Sequence, residues 1–202
     1  MVKGIPQWLR HCGQIPVALV AVTVFTGVLA DSPPAQALDE AALQRFINDV
    51  LDGGVKECPG CDLRGADLRR LDLTGANLEG ANLKGANFFY AILDGANLSG
   101  ADLRSTNFAN TSAVNAGFVG ADLEQSILNY ANFSYSDMTE ANFMEAYIHK
   151  TRFVGSQLQR SNFDLTFVHD IDLTDANLCG STYWGGNDFR RACNVPTTDL
   201  ER

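Results

Sequence analysis

The sequence predicts an all-β solenoid, and two regularities carry that prediction. From Cys61 to Gly185 the 125 residues fall into 25 consecutive groups of five, without insertion or deletion. The third residue of each group, here called its centre, is always apolar or aromatic. The residue two places before each centre is small, except at Cys61, Leu71 and Ile171. A period of five fits neither a helix nor a plain alternating strand, and a fixed repeat is typical of stacked units that share one core.

Within each group the first and third residues alternate around the second, as they do along an extended segment. We therefore expect the small residue and the centre to point inward. The second, fourth and fifth residues are mostly Asp, Asn, Arg, Glu, Ser and Gly, and we expect them to face outward. Asn or Asp at the second position and Gly at the fifth are suited to the turn that each group requires.

The groups CDLRG, ADLRR, LDLTG, ANLEG and ANLKG at residues 61–85 follow the pattern A(D/N)LXX, which resembles the pentapeptide-repeat family over about 60 % of the chain. The resemblance implies a right-handed quadrilateral β-helix with four groups per coil. The repeat would then form about six coils, roughly 4.8 Å apart. The start of the repeat, CPGCDLRGADL, is also similar to exported cyanobacterial and chloroplast thylakoid-lumen members.

The first 37 residues are typical of a secretory signal peptide. Lys3 and Arg10 precede an uncharged apolar run over residues 17–30, and the A-x-A sequence at 35–37 predicts cleavage before Leu38. Cleavage after Ala30 and an uncleaved membrane anchor are the alternatives. Cleavage would leave no membrane span, and it predicts an exported protein of the periplasm or thylakoid lumen.

Residues 38–60 are predicted to form an N-terminal cap and lead into the repeat. A helix over 39–51 is expected, beginning at Asp39 and stopped by Gly53 and Gly54. Its apolar face would consist of Leu43, Phe46, Ile47, Val50 and Leu51. Because the end of a solenoid exposes an open sheet edge, we interpret the helix as its cover. A partner-binding helix is the alternative. Residues 186–202 are predicted to be a C-terminal cap and tail.

Cys58 and Cys61 form a C-x-x-C sequence, which is compatible with a redox pair, half of a zinc site or a local disulfide. Cys179 and Cys193 lie five or more coils away on the geometry that the resemblance implies. That separation favours the pairs Cys58–Cys61 and Cys179–Cys193, which exported proteins can retain. A small buried thiol at Cys61 is the alternative.

Taking every twentieth residue separates the four sides that the resemblance implies. One side places large apolar residues outward, and they form a candidate interaction face for an unknown protein or for self-association. These residues are Phe89, Tyr90, Ile127, Tyr130, Tyr147 and Phe167. Scattered surface aromatics are the alternative. His149 and His169 share this side and form a candidate pH-sensing pair or, with Asp170, part of a metal site; coincidence is the third interpretation.

The formal net charge is −9, and about −10 without the predicted signal, which is unlike a nucleic-acid-binding protein. The sequence contains no phosphate-binding Gly-rich loop and no H-E-x-x-H. A core filled by Leu, Phe and Ala leaves no room for a cofactor. The sequence therefore predicts a non-enzymatic, exported structural or interaction module without cofactors. The alternative is an acidic DNA mimic that binds a topoisomerase, as in another branch of the family.

Overall fold

The computed structural model describes residues 40–182, and a short helix precedes the repeat. Helix α1 spans Glu40–Leu51, so it begins one residue after the predicted start. Phe46 and Val50 are buried in one core cluster with the centres of the repeat, and Leu43 and Ile47 are half-buried against it. No helix in this part of the chain has the length and apolar character needed to cross a bilayer. The predicted signal peptide and the C-terminal cap and tail lie outside the described residues.

Helix α1 ends at a glycine cap. Gly53 has a φ of 69° and donates its N–H to the Val50 carbonyl at 3.3 Å, while the Gly54 N–H reaches the Asp49 carbonyl at 2.7 Å. These two bonds satisfy carbonyls that the last helical turn leaves free. Leu51 was predicted on the apolar face but is 67 % exposed, because it lies about 100° around the helix from Val50.

Beyond α1 the chain winds in coils of 20 residues. Parallel bridges join each second-position residue to the one 20 places later, from Glu57 with Asn77 to Gln157 with Asn177. In each such contact the centre donates its N–H to the next coil, as Leu63 does to the Asn82 carbonyl at 2.8 Å. Since each group has five residues, four groups complete one coil and give the solenoid four sides.

The turn between groups explains the composition of the repeat. The fifth residue adopts a left-handed conformation, with a φ of 64° at Gly65, where glycine has no Cβ to clash. The next residue closes the turn, since Ala66 donates its N–H to the Leu63 carbonyl at 3.1 Å. The second-position side chain accepts the N–H of the fourth residue, as the Asn87 Oδ1 does from Phe89 at 3.1 Å. Asn and Asp recur at the second position because they supply this acceptor.

Regular strands are sparser than an all-β prediction implies. Strands β1, Tyr147–His149, and β2, Phe167–His169, pair in parallel with His149 opposite His169. Elsewhere in residues 40–182 the coils meet through isolated single-residue bridges. The reason is geometric: each side is one group long, and the turn uses its last two residues.

The interior is filled by the small residues and the centres, as predicted. Phenylalanine rings of successive coils stack on each other, with centroids 4.8 Å apart for Phe88 and Phe108 and 4.7 Å for Phe143 and Phe163. No buried side-chain polar atom among the described residues lacks a hydrogen-bond partner. The centre Val168, in the last of these coils, is only half-buried.

The repeat begins one group earlier than the predicted boundary at residue 61. Cys58 donates its N–H to the Asn77 carbonyl at 2.8 Å, in the way that centres do, and it is 4 % exposed. Residues 56–60 therefore form an in-phase group in which Cys58 replaces the usual Leu. The sequence concealed this group because a cysteine at the centre and Lys56 at the small position do not match the pattern.

Candidate protein-docking face

One side of the solenoid carries four of the five aromatic residues that are strongly exposed within residues 40–182. We call it the aromatic side, and its centres are Leu68, Phe88, Phe108, Leu128, Ile148 and Val168. Tyr90, Tyr130, Tyr147 and Phe167 are 50–60 % exposed, and Ile127 is 39 % exposed. These residues lie on one side because the coil is 20 residues long and they occupy equivalent outward positions.

Phe89 departs from the expected arrangement. It is half-buried, and its ring meets Tyr90 edge-on with centroids 4.5 Å apart. The equivalent positions in the next coil hold Ala109 and Asn110, so a coil without large apolar side chains separates this pair from Tyr130. The predicted single patch is therefore two patches, of which the one beginning at Ile127 and Tyr130 is the larger.

The larger patch is built on the paired strands β1 and β2. Tyr147 stacks on Phe167 with ring centroids 4.9 Å apart and planes 7° apart. The ring centroids of His149 and His169 are 5.1 Å apart. The Tyr130 ring packs edge-on against His149, with centroids 5.4 Å apart. The exact 20-residue spacing brings His149 opposite its predicted partner His169 and also Tyr147 opposite Phe167, so a layer of rings extends across adjacent coils.

The aromatic side lacks, at three positions, a local hydrogen bond that the repeat forms elsewhere. On the neighbouring side, the Asn142 Oδ1 accepts the Met144 N–H at 3.2 Å. Ile127, Tyr147 and Phe167 occupy the equivalent second position and have no oxygen that can reach back in this way. The three turns therefore lack this local hydrogen bond and carry large apolar side chains on the surface instead.

The aromatic side is also the one side without net negative charge near the end of the repeat. Over residues 121–180 it carries one base, Lys150, and one acid, Asp170. The Lys150 ammonium lies 5.8 Å from the Tyr130 ring centroid. The neighbouring side before it carries four acids and no base over the same coils. These acids are Asp122, Glu124, Glu145 and Asp164.

A groove follows the corner where these two sides meet. Its lining includes residues from four successive coils and both sides. They are Ser105, Gln125, Glu145, Tyr147, Leu165 and Phe167. The Gln125 Nε2 donates to Glu145 Oε2 at 2.8 Å, which holds the carboxylate on the groove wall. One wall is therefore aromatic, and the other consists of polar residues, the acid Glu145 and the apolar Leu165.

Leu165 belongs to this groove and was missed by the sequence interpretation. It is 70 % exposed and has a φ of 58°, a conformation that costs a side chain with a Cβ about 1–2 kcal/mol. The signal was present, because Leu stands at a fifth position where glycine is the commonest residue of the repeat. The sequence interpretation counted Leu165 with the side of its own group, although the residue borders the aromatic side.

We call the neighbouring side the polar side; its centres are Leu63, Leu83, Leu103, Leu123, Phe143 and Phe163. Several of its outward side chains form hydrogen bonds with each other from coil to coil. The Thr182 hydroxyl donates to Asn162 Oδ1 at 2.7 Å, the Asn162 amide to Asn142 Oδ1 at 3.0 Å, and the Asn142 amide to Asp122 Oδ1 at 2.9 Å. This ladder connects successive coils outside the core.

Aspartates in the first coils pair with cations nearby. Arg64 forms a salt bridge with Asp62 at an N–O distance of 2.7 Å, and Arg104 forms one with Asp102 at 2.6 Å. These guanidinium hydrogen bonds lower the pKa of Asp62 and of Asp102. On the third side, the Thr74 side-chain hydrogen bond is the largest contribution that lowers the pKa of Asp72 to about 2.

The cysteines and histidines give no metal centre in the described part of the chain. Cys58 and Cys61 are joined by a disulfide with Cα atoms 5.3 Å apart. Cys179 is also disulfide-bonded, and its predicted partner, Cys193, lies outside residues 40–182. No group of three or more His, Cys, Asp or Glu residues in this region is arranged to hold a metal ion. Asp170 therefore does not complete a metal site with the histidine pair.

Comparison with protein families explains the repeat. Eight copies of the family described as Pentapeptide repeats match residues 60–88, 91–129 and 126–164, which together make up half of the chain. The chain belongs to the pentapeptide repeat family. Proteins of this family fold as right-handed quadrilateral β-helices. No curated protein sequence matches the chain.

Solved pentapeptide repeat structures resemble parts of the chain. One from the cyanobacterium Cyanothece 51142 is 24 % identical over 67 % of this chain and 99 % of its own, with a TM-score of 0.38. One from Nostoc is 23 % identical over 67 % and 93 %, with a TM-score of 0.48. A third, from the Arabidopsis thaliana thylakoid lumen, is 26 % identical over 69 % and 90 %, with a TM-score of 0.26.

Proposed function

We propose that this pentapeptide repeat protein is an exported, non-enzymatic module that docks another protein on its aromatic side. Proteins of the family are generally structural or interaction modules. The observation that carries the proposal is the replacement of the turn-stabilising amide by Ile127, Tyr147 and Phe167. Rigid aromatic rings on a flat, neutral surface are typical of the buried centre of a protein interface.

Export to a periplasm or thylakoid lumen is the second part of the proposal. The signal-like composition of residues 1–37 supports it. The disulfide between Cys58 and Cys61 is also in keeping with an oxidising compartment. On this interpretation helix α1 covers the first open edge of a right-handed, four-sided solenoid, which leaves the sides free to bind.

The histidine pair lies within the proposed docking face, so we infer that acid weakens docking. Imidazoles take up protons between about pH 8 and pH 5. Two protonated rings 5.1 Å apart would repel each other and any cation brought against them. The Tyr130 ring packs against His149, and Lys150 lies over the same ring, where it adds to the positive charge. Asp170 directly follows His169 in the sequence.

A face variant tests the docking proposal. A photo-crosslinking residue at Ile127 should give an adduct of defined mass in the native compartment. Replacing Phe89, Tyr130 and Phe167 by Ser should abolish that adduct and weaken binding of the crosslinked protein at least about 100-fold, because buried aromatic anchors dominate interfaces. Unchanged crosslinking and affinity in this variant would overturn the proposal.

A matched variant removes exposed apolar side chains from the other sides. Ile92→Ser, Val119→Ser and Tyr135→Ser replace residues that are 39–61 % exposed. This control should keep both the adduct and the affinity. If it loses them as the face variant does, general surface hydrophobicity explains the binding and the aromatic side has no special role.

The net charge of −9 favours a second candidate, an acidic DNA mimic that binds a topoisomerase. The two candidates differ in compartment, since a DNA mimic must remain in the cytoplasm. Fractionation with N-terminal sequencing decides between them. A chain that begins at Leu38 in an exported fraction supports the docking module, whereas an uncleaved cytoplasmic chain supports the mimic.

A further inference from the structure

The groove at the corner between the polar and aromatic sides indicates which kind of peptide segment would bind there. We propose that it binds an extended segment of a partner protein in which apolar and basic side chains alternate. This inference rests on the proposed docking function and names the partner's chemistry. The groove lies at one edge of the docking face, where Tyr147 and Phe167 meet Glu145 and Leu165.

The shape of the groove limits the length of the segment. Its lining runs from Ser105 to Leu165, which is three coil steps or roughly 14 Å at about 4.8 Å per step. An extended segment of about five residues spans that distance at roughly 3.3 Å per residue. The segment would run along the axis of the solenoid, across the coils.

The apolar side chains of the segment have a defined place to pack. Leu165 and Phe167 are 70 % and 60 % exposed, and Phe167 is backed by the stacked ring of Tyr147. Covering these three side chains removes exposed apolar surface from water. An apolar segment gains free energy from that burial.

Negative charge lies on only one edge of the groove, and it favours basic side chains of the bound segment on that edge. Glu145 lies on the groove wall, and Asp164 directly precedes Leu165 on the polar side. Neither acid forms an ion pair with another residue of the described chain. Lys150 stands at the opposite corner of the aromatic side, so basic side chains are directed toward the polar side. The net charge of −9 attracts such a partner from a distance.

Three short peptides test the inference against the protein expressed from its full sequence. The probe is acetyl-Leu-Lys-Leu-Lys-Leu-amide, measured by isothermal titration and NMR at about 0.15 M salt, where long-range attraction is screened beyond about 8 Å. We expect it to bind at least ten-fold more tightly than acetyl-Gly-Lys-Gly-Lys-Gly-amide. We expect no binding of acetyl-Leu-Glu-Leu-Glu-Leu-amide.

Matched variants localise the effect. Glu145→Gln and Phe167→Ser should each weaken the binding of the leucine–lysine peptide at least five-fold. Two controls lie on the fourth side, whose centres include Phe118 and Met138. Asp137→Asn removes one negative charge there, and Val119→Ser removes one exposed apolar side chain. Both variants should bind the peptide as the wild type does. Equal weakening by Asp137→Asn and Glu145→Gln would mean diffuse attraction and would overturn the inference.

The outcome separates this inference from the docking proposal. If the glycine–lysine peptide binds as tightly as the leucine–lysine peptide, or if neither binds, the inference is wrong. The docking proposal still stands in that case when the Phe89, Tyr130 and Phe167 variant loses its crosslinked partner. If that variant also keeps its partner, both are wrong.

Discussion

The polar and aromatic sides are neighbours on the same solenoid, yet they use their outward residues in opposite ways. Asn142 and Tyr147 stand at equivalent positions in the same coil. Asn142 joins a ladder of side-chain hydrogen bonds that connects four coils. Tyr147 stacks on Phe167 and leaves half of its surface exposed. The polar side satisfies itself, whereas the aromatic side retains apolar surface that a partner can cover.

The comparison shows which positions of the repeat vary from one side to the next. Backbone hydrogen bonds between coils and inward-facing centres recur on both sides, so the two sides share one framework although their second, fourth and fifth residues differ. Those positions are free to differ from one side to the next. They depart from Asn, Asp and Gly toward Ile, Tyr, Phe and Leu along the face where we propose that a partner docks.

The first prediction tests whether the two sides share one core, and its expected effect is the largest. Phe108→Ala on the aromatic side and Phe143→Ala on the polar side should each lower the free energy of unfolding by about 3–5 kcal/mol. Both rings are fully buried and stack on another phenylalanine. Urea unfolding followed by circular dichroism measures the change.

The exposed Phe167 supplies the control for the core variants. Phe167→Ala should lower the free energy of unfolding by less than about 1 kcal/mol, since 60 % of its surface is already in water. A loss as large as that of Phe108→Ala would mean that the outer rings support the fold, and the two sides would then not differ in role.

The second prediction compares one substitution at Asn142 with one at Tyr147, for their effects on stability and on docking. Asn142→Ala removes an amide with bonds to Asp122, Met144 and Asn162 and should cost about 1–3 kcal/mol of stability. Tyr147→Asn restores the usual second-position acceptor, so we expect stability within about 0.5 kcal/mol of the wild type. Docking should respond in the opposite order, with at least ten-fold weaker binding for Tyr147→Asn alone.

Thermal and urea unfolding, combined with the crosslinking assay, measure both quantities on the same two variants. Asn142→Ala is the control for docking, and Tyr147→Asn is the control for stability. Equal losses of stability in both variants would show that the ring layer holds the coils together as the amide ladder does.

The third prediction separates stability from docking by pH, with the smallest effect. The lowered pKa values of Asp62, Asp72 and Asp102 mean that their ionised forms stabilise the fold above the unfolded value near pH 4. That contribution is lost as pH falls toward the folded value, about 2 for Asp72. The free energy of unfolding should therefore hold between pH 7 and pH 5 and decline between about pH 4 and pH 2.

Docking should weaken as the pH falls from about 8 to 5, a range in which imidazoles generally gain protons and in which stability should hold. Replacing His149 and His169 by Gln should remove the pH dependence of docking and leave the acid decline of stability unchanged. Asp72→Asn should reduce that decline and leave docking unchanged. Docking that follows the stability curve in every variant would contradict the separation of docking from stability.

The order of the residues alone determined the repeat, its 20-residue coil once the family was recognised, the inward residues and the side on which the aromatics gather. These follow from periodicity, because a residue's place in a strict repeat decides its direction. The sequence did not determine that Cys58 begins the repeat, that Phe89 is half-buried or that Leu165 joins the groove. Those facts depend on side-chain packing at corners and ends, where the neighbours come from other coils and the repeat pattern no longer specifies them.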